Sequence, residues 1–264
     1  MTTFRGKTVS LVLGSGGARG LAHIGVIHVL EERGYDIRSV AGCSAGALVG
    51  GIYAAGKLTE YEHWVRNVTK FDMVSWMDIA WVGGGLMKGD KIIEQMKKLV
   101  GDCLIEDLPI PFTAVATELQ SGREVWLSEG SLFDAIRSSC SLPIFFTPAK
   151  YREKMLVDGG VVNPVPIAPV FDDHTDLTLA VNLGGKPTGD HRYDGRKNLS
   201  AADVAYLVYD AMQSTIARQK LAAYPPDMII EIPRDAARTF DIDRAGEIVE
   251  IGRKAAEEVL LQVA

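Results

Sequence analysis

Cysteine is scarce in this 264-residue chain: Cys43, Cys103 and Cys140 are odd in number and have neither CxxC nor mixed Cys/His spacing. That excludes a disulfide framework and a thiolate metal site, and reads as reduced, mostly buried thiols in a cytoplasmic protein. Positive charge is also short. With 28 Lys and Arg against 34 Asp and Glu the formal net charge is −6, which argues against a general affinity for nucleic acid or anionic membrane. Long hydrophobic runs are missing: the longest uncharged stretch, residues 40–56, is too short and too rich in Gly and Ala to span a bilayer. Its Gly42, Gly46 and Gly50 suit a tightly packed soluble helix instead. The start, Met-Thr-Thr-Phe-Arg-Gly-Lys, lacks the basic-then-apolar pattern of a signal peptide. There is no internal repeat and no linker rich in Pro, Gly or Ser, so a single domain over residues 1–264 is expected.

What the chain does have is core material and glycine. At 47% hydrophobic, 23% charged and 8% aromatic it is neither disordered nor in need of a staple. It holds 27 glycines where average usage gives roughly 18. Twelve of them precede residue 57.

Those glycines punctuate a strand-helix-strand-helix opening. Residues 7–13 are a short β-branched run that stops at glycine, and residues 21–33 carry apolar side chains at helical spacing before Gly34. Residues 37–43 read as a second strand, and residues 45–55 as a helix closed by Gly56. This is the pattern of an α/β sheet. Further helices are expected over 60–70, from an Asp90 N-cap to 100, over 132–139, 201–222 and 244–263. Strands are expected over 112–118, 124–127, 155–157, 177–183 and 228–232, and residues 184–199 as a long mobile loop. Residues 71–87, rich in Met, Trp and Gly, read either as ordinary core or as a lid or acyl-chain surface that Gly83, Gly84 and Gly85 would let bend.

Gly42-Cys43-Ser44-Ala45-Gly46 fits G-x-S-x-G between an apolar strand and an apolar helix, the context a nucleophile elbow requires. A serine on so sharp a turn needs small neighbours two residues away on each side. In return its Oγ is exposed beside a helix N-terminus, where amides favour developing negative charge. The run Gly14-Ser15-Gly16-Gly17-Ala18-Arg19-Gly20 follows the first strand. As a dinucleotide fingerprint it fails in register, since G-x-G-x-x-G from Gly14 ends on Arg19 and from Gly16 on Leu21. Asp36, about 20 residues on, precedes the second strand instead of ending it. A backbone nest for an oxyanion fits the loop better, with Arg19 adding positive charge or tying the loop down.

A histidine base would complete the usual triad, yet none of the five has a compelling context. His23 and His28 fall within the first helix, His63 on a polar helix, and His174 and His191 in polar stretches. Asp158-Gly159-Gly160 is more suggestive, because a short apolar strand presents an acid at its carboxyl end beside two glycines.

In this order the glycine-rich loop, the elbow and the Asp-Gly-Gly resemble the patatin-like phospholipases, especially bacterial members related to the catalytic domain of neuropathy target esterase. The likeness extends through Leu21-Ala22-His23-Ile24-Gly25-Val26, Gly85-Leu86-Met87-Lys88-Gly89, Ala135-Ile136-Arg137-Ser138-Ser139, Leu142-Pro143-Ile144-Phe145 and residues 158–166, covering most of residues 7–185. One departure is Ser15, which stands where the family's loop has its first glycine.

The resemblance implies an α/β fold of three α/β/α layers with a mostly parallel sheet. It also implies a carboxylic ester hydrolase using a Ser-Asp dyad without histidine, through an acyl-enzyme. Ser44 maps onto the nucleophile, Asp158 onto the base, and the backbone amides around Gly16, Gly17 and Arg19 onto the oxyanion hole. No cofactor or metal is implied. The implied partner is a lipid or acyl-ester substrate met in transient contact with a membrane surface, with no nucleic acid, and the implied location is cytoplasmic, peripheral to the inner face of the membrane. Two other readings stay open on the residues alone. One is an ordinary α/β-hydrolase triad with His174 or His191 as base; the other is a catalytically silent lipid- or nucleotide-binding module that keeps the elbow as scaffold.

Overall fold

Short β-branched runs that end at glycine form the centre of the molecule, as their pattern dictates. A computed structural model describes residues 6–76, 87–189 and 200–262. Among them, eight strands make one sheet: β1 (Thr8–Leu13), β2 (Asp36–Cys43), β3 (Phe112–Glu118), β4 (Glu124–Leu127), β5 (Ala149–Tyr151), β6 (Lys154–Asp158), β7 (Leu177–Gly185) and β8 (Met228–Pro233). The helices are α1 (Ala22–Glu32), α2 (Ala45–Ala54), α3 (Leu58–Arg66), α4 (Lys70–Ser75), α5 (Asp90–Val100), α6 (Leu132–Ser139), α7 (Ala201–Ala223) and α8 (Ala245–Gln262).

Strands β3, β2, β1, β7 and β8 lie side by side in parallel; β4 and β6 pair with β3, and β5 with β6, all antiparallel. Alternation along β1 separates two cores. Val9, Leu11 and Leu13 join the large cluster under α1, α2, α6 and α8, while Val12 faces a smaller one formed by Ala41, Ala180, Val165, Ile167, Val170, Ala217 and Leu221. The sheet is therefore the middle of three layers, one face thickly covered and the other covered mainly by α7 and residues 165–170. On the thick face α1 and α8 touch backbone to backbone, since a Cβ at Gly25 would lie 2.0 Å from the Val249 carbonyl oxygen.

The register along β3 matters most for function. Val115 pairs with Cys43 on one edge and Trp126 on the other, and Ala116 pairs with Val125 and Asp158. Since β4 keeps its edge throughout, β2 and β6 share the opposite edge and meet with their carboxyl ends facing each other. Residues just beyond both strands are thereby forced together.

Several expectations need correction. The helix expected over 60–70 is α3, Leu58–Arg66, and a second helix, α4, begins at Lys70 and runs into the segment read as core or lid. The Asn67 side chain donates to the His63 carbonyl at 2.7 Å and closes α3, while the Thr69 amide donates to the Asp72 carboxylate at 2.9 Å and opens α4. Asp90 is the first residue of α5, not its cap; Gly89, at φ 77°, holds that position. Strand β5 was not expected, β6 runs antiparallel and starts at Lys154, and β7 continues through Gly184 and Gly185, which the expected loop had claimed. Beyond β7 the Thr188 and Gly189 amides donate to the Asp235 carboxylate. Residues 190–199, with His191, lie outside the described residues, as do residues 77–86 of the expected lid. No helix among the described residues is long and apolar enough to cross a membrane.

Candidate active site

Ser44 sits between β2 and α2 at φ 54°, ψ −121°. This is a conformation that a residue with a Cβ holds only at a cost of about 1–3 kcal/mol. Its neighbours make it sterically possible. A Cβ at Gly42 would stand 2.4 Å from the Gly46 carbonyl oxygen, and one at Gly46 would stand 2.1 Å from that of Leu13. The turn is braced from α6: the Ser44 amide donates to Ser139 Oγ at 2.8 Å, Ser139 Oγ donates to the Val115 carbonyl at 2.6 Å, and Cys140 Sγ donates to the Ser44 carbonyl at 3.2 Å. Sequence reasoning missed Ser139 and Cys140 as supports, because nothing in their spacing pairs them with a turn a hundred residues away.

Asp158 ends β6 and is fully buried. The Gly160 amide donates to its Oδ1 at 2.8 Å, Cys43 Sγ to the same oxygen at 3.9 Å, and Thr117 Oγ1 to its carbonyl at 3.0 Å. Its Oδ2 is buried with no hydrogen-bond partner among the described residues. The hydroxyls of Ser44 and Tyr209 nevertheless act on the carboxylate as hydrogen-bond donors that favour its ionised form. Burial pushes the carboxyl up to about 6, against the pull of the Ser44 hydroxyl, the Gly160 amide, Tyr209 and Cys43, in that order. A group loosely held yet biased toward its neutral form suits proton transfer.

The glycine-rich loop lies against the first turn of α2: a Cβ at Gly20 would meet the Ala45 Cβ at 2.3 Å. Its amides are accounted for one by one. Gly14 donates to the Val181 carbonyl at 3.0 Å, Ser15 to Pro164 at 2.8 Å and Ala18 to Thr239 at 2.9 Å. The Arg19 amide lies within the 3-10 turn Gly17–Leu21. Gly16 and Gly17 have no such partner among the described residues. The Arg19 side chain ties the loop down: Nε donates to the Gly16 carbonyl at 3.0 Å, one terminal nitrogen to the Arg234 carbonyl at 3.1 Å, and the other to Asp210 at 2.6 Å. Behind the loop His23 is buried with Nε2 2.9 Å from the Gly14 carbonyl, and burial holds its pKa down to about 4.

Two further side chains reach this region from α7 and were not anticipated: Tyr209 and Gln213, whose Nε2 donates to Tyr209 Oη at 2.7 Å and to Ser15 Oγ at 3.2 Å. Among the described residues no histidine is one of the groups that shift Asp158. His28 pairs with Glu62 at 2.6 Å, and His63 lines a groove of about 800 Å³ with Trp64 and Trp76. His174 is exposed and follows Asp173, whose carboxylate accepts from the Ser10 and Ser39 hydroxyls. Ser39 is five residues before Ser44 along β2, so at about 3.3 Å per residue His174 belongs to the far end of the sheet. A pocket of about 250 Å³, lined by Ser39, Glu106 and Asp173, opens at that far end too. Neither of these two cavities includes Ser44 or Asp158. Among the described residues no three His, Cys, Asp or Glu side chains cluster as metal ligands would.

Known proteins share this arrangement of sequence. A family model described as patatin-like phospholipase matches residues 11–171. An uncharacterised NTE family protein of Mycobacterium tuberculosis is 34% identical over 328 aligned residues, covering 96% of this chain and 91% of that protein. Lysophospholipase NTE1 of Coccidioides immitis is 28% identical, with 97% of this chain matching 18% of the longer fungal protein. The crystal structure of VipD from Legionella pneumophila has a TM-score of 0.50 at 13% identity, covering 98% of this chain and 67% of that one, and agrees in fold.

Proposed function

The chain belongs to the patatin-like phospholipase family, and from that premise we propose that it is a lipid acyl hydrolase in which Ser44 is the nucleophile and Asp158 its base. The observation that carries this reading is the meeting of β2 and β6 on one edge of β3, which brings a strained serine beside a buried carboxylate. Residues 1–264 are taken as one catalytic domain.

Asp158 accepts the Ser44 proton as Oγ attacks the ester carbonyl. The resulting oxyanion is received by the Gly16 and Gly17 amides, with Arg19 holding their loop in place. Collapse expels the alcohol, which takes the proton from Asp158, and leaves an acyl-enzyme. Water then gives a proton to Asp158 and attacks the acyl carbon; Ser44 leaves and recovers that proton. With its pKa near 6, Asp158 is ionised at neutral pH and is a stronger base than an ordinary aspartate.

The substrate class is phospholipid, lysophospholipid or a related acyl ester, met at a membrane surface. Support for surface contact comes from α7, where Val204, Leu207, Val208 and Met212 are each about half exposed on the side opposite Tyr209 and Gln213. Such an apolar face fits a lipid surface better than electrostatic attraction does at net charge −6. Ser44→Ala and Asp158→Asn are each expected to lower hydrolysis of a short acyl ester by at least about 10²–10⁴-fold while far-UV circular dichroism stays unchanged. Near-wild-type activity in either folded variant would refute the assignment.

A further inference from the structure

Resting on the Ser44 and Asp158 reading, we propose that Tyr209 is a positioning residue for Asp158: Gln213 holds its phenol so that the hydroxyl hydrogen is offered to the carboxylate, keeping it ionised and oriented toward Ser44. The geometry runs along α7, where Tyr209 and Gln213 lie four residues apart on one side of the helix. An amide nitrogen only donates, so in the 2.7 Å contact from Gln213 Nε2 the phenol oxygen is the acceptor. Its own hydrogen is left for another partner. The neighbouring acceptor is Asp158, whose Oδ2 is buried and unpartnered among the described residues. Burial and the charge of Asp158 both push the Tyr209 phenol up, so it remains a donor.

The bridge has been given room. A Cβ at Gly160 would lie 1.9 Å from Gln213 Nε2, 2.9 Å from Ser15 Oγ and 3.0 Å from Asp158 Oδ1. Three polar groups thus converge on the space that the second glycine of Asp-Gly-Gly vacates. Ser15, the one departure in the loop, is the other acceptor of the Gln213 amide at 3.2 Å. The oxyanion loop and the base are therefore connected through two side chains on α7, Gln213 and Tyr209.

Asp158 is faced by Cys43 at the end of β2, Cys140 at the end of α6 and Tyr209 on α7. Glu124 and Arg137 act on those thiols, and Tyr206 on Tyr209. Burial and the Asp158 charge keep both thiols protonated well above neutrality. The acid limb of a pH profile accordingly reports Asp158.

The test is kcat/KM for a p-nitrophenyl ester of a short acyl chain, measured from pH 5 to 9 on wild type, Tyr209→Phe, Gln213→Leu and Asp158→Asn. Losing a hydrogen bond to a charged group should move the acid limb of Tyr209→Phe upward by about 1 pH unit. Activity at pH 6 should fall about fivefold, in kcat more than KM, and recover toward wild type above pH 8. Gln213→Leu should shift the limb in the same direction by less. Acid limbs that superimpose on wild type, or a loss uniform across pH, overturn the proposal; if Tyr209→Phe does not fold, the limb of Gln213→Leu decides alone. An inactive Asp158→Asn beside an unshifted Tyr209→Phe removes only the role of Tyr209. An active Asp158→Asn removes the dyad reading and this inference with it.

Discussion

Asp158 is the residue at which catalysis and stability oppose each other. Its folded pKa, about 6, exceeds its ordinary value of 3.8 because burial disfavours the charge. Between those values the native state binds more protons than the unfolded chain, so its favourable contribution is complete below about 4 and is lost as pH rises through 6. Above pH 6 the ionised group costs on the order of 3 kcal/mol. Asparagine keeps the shape and removes the charge. Urea unfolding of Asp158→Asn at pH 7.5 should therefore show about 2–3 kcal/mol of added stability, shrinking toward pH 4; equal or lower stability at pH 7.5 would contradict the burial argument. At this scale the sequence was readable where chemistry forces a local pattern. Ser44 and Asp158 each sit in a short motif whose glycines are demanded by contacts of 1.9–2.4 Å around them. Tyr209, Gln213 and Ser139 have no such signature, because their partners lie far away in the chain and any polar side chain at a helical spacing looks alike. Arg19 was read in both of its possible uses, and its three hydrogen bonds fit the tie rather than the free charge.

At the scale of elements, the parallel strands were legible because a buried parallel strand is an unbroken apolar run with glycine after it. Strand β5 was not, since Ala149–Tyr151 is three residues with an exposed lysine in the middle. The break between α3 and α4 was hidden for a related reason: apolar spacing continues across residues 67–69, and only side-chain capping by Asn67, Thr69 and Asp72 ends one helix and begins the next. Helix α7 carries the functional consequence. One side supplies Tyr209, Gln213 and the Asp210 that pairs with Arg19, and the other exposes Val208 and Met212. If that outer side meets lipid, a charge there should weaken vesicle binding without touching the chemistry. Val208→Glu with Met212→Glu should cut hydrolysis of phospholipid vesicles at least about tenfold, the effect of losing roughly two buried apolar side chains at about 1.5 kcal/mol or more each. Hydrolysis of a monomeric short ester should be nearly unchanged. Equal losses on both substrates would show that α7 acts through the site rather than through the membrane.

Across the whole molecule, one register decision does what no local motif does. Cys43 and Asp158 are 115 positions apart, and β3 joins them because consecutive residues, Val115 and Ala116, pair with the ends of β2 and β6. An α/β sheet was expected from the strand and helix alternation, and its three layers and mostly parallel order from the family resemblance. The antiparallel entry of β6 was not, because a five-residue strand carries no sign of its direction. Two buried titrating groups, His23 and Asp158, contribute to the acid response of the fold in opposite directions. His23, held down to about 4, stays neutral in the native state while the unfolded chain takes up a proton near 6.5, so stability falls as pH drops from 6.5 to 4. Asp158 contributes in the opposite direction between 6 and 3.8. Their sum is nearly flat for wild type, whereas Asp158→Asn should lose stability with acid more steeply; urea midpoints at pH 7, 5.5 and 4.5 measure the two slopes, and identical slopes would contradict the opposition. The most direct test of the central claim is labelling by a fluorophosphonate ester followed by peptide mass spectrometry on wild type, Ser44→Ala and Asp158→Asn. A single adduct on Ser44 in wild type, none in Ser44→Ala, and labelling slowed at least about 10²-fold in Asp158→Asn is the predicted result; an adduct on another residue, or wild-type labelling rates without Asp158, would contradict it.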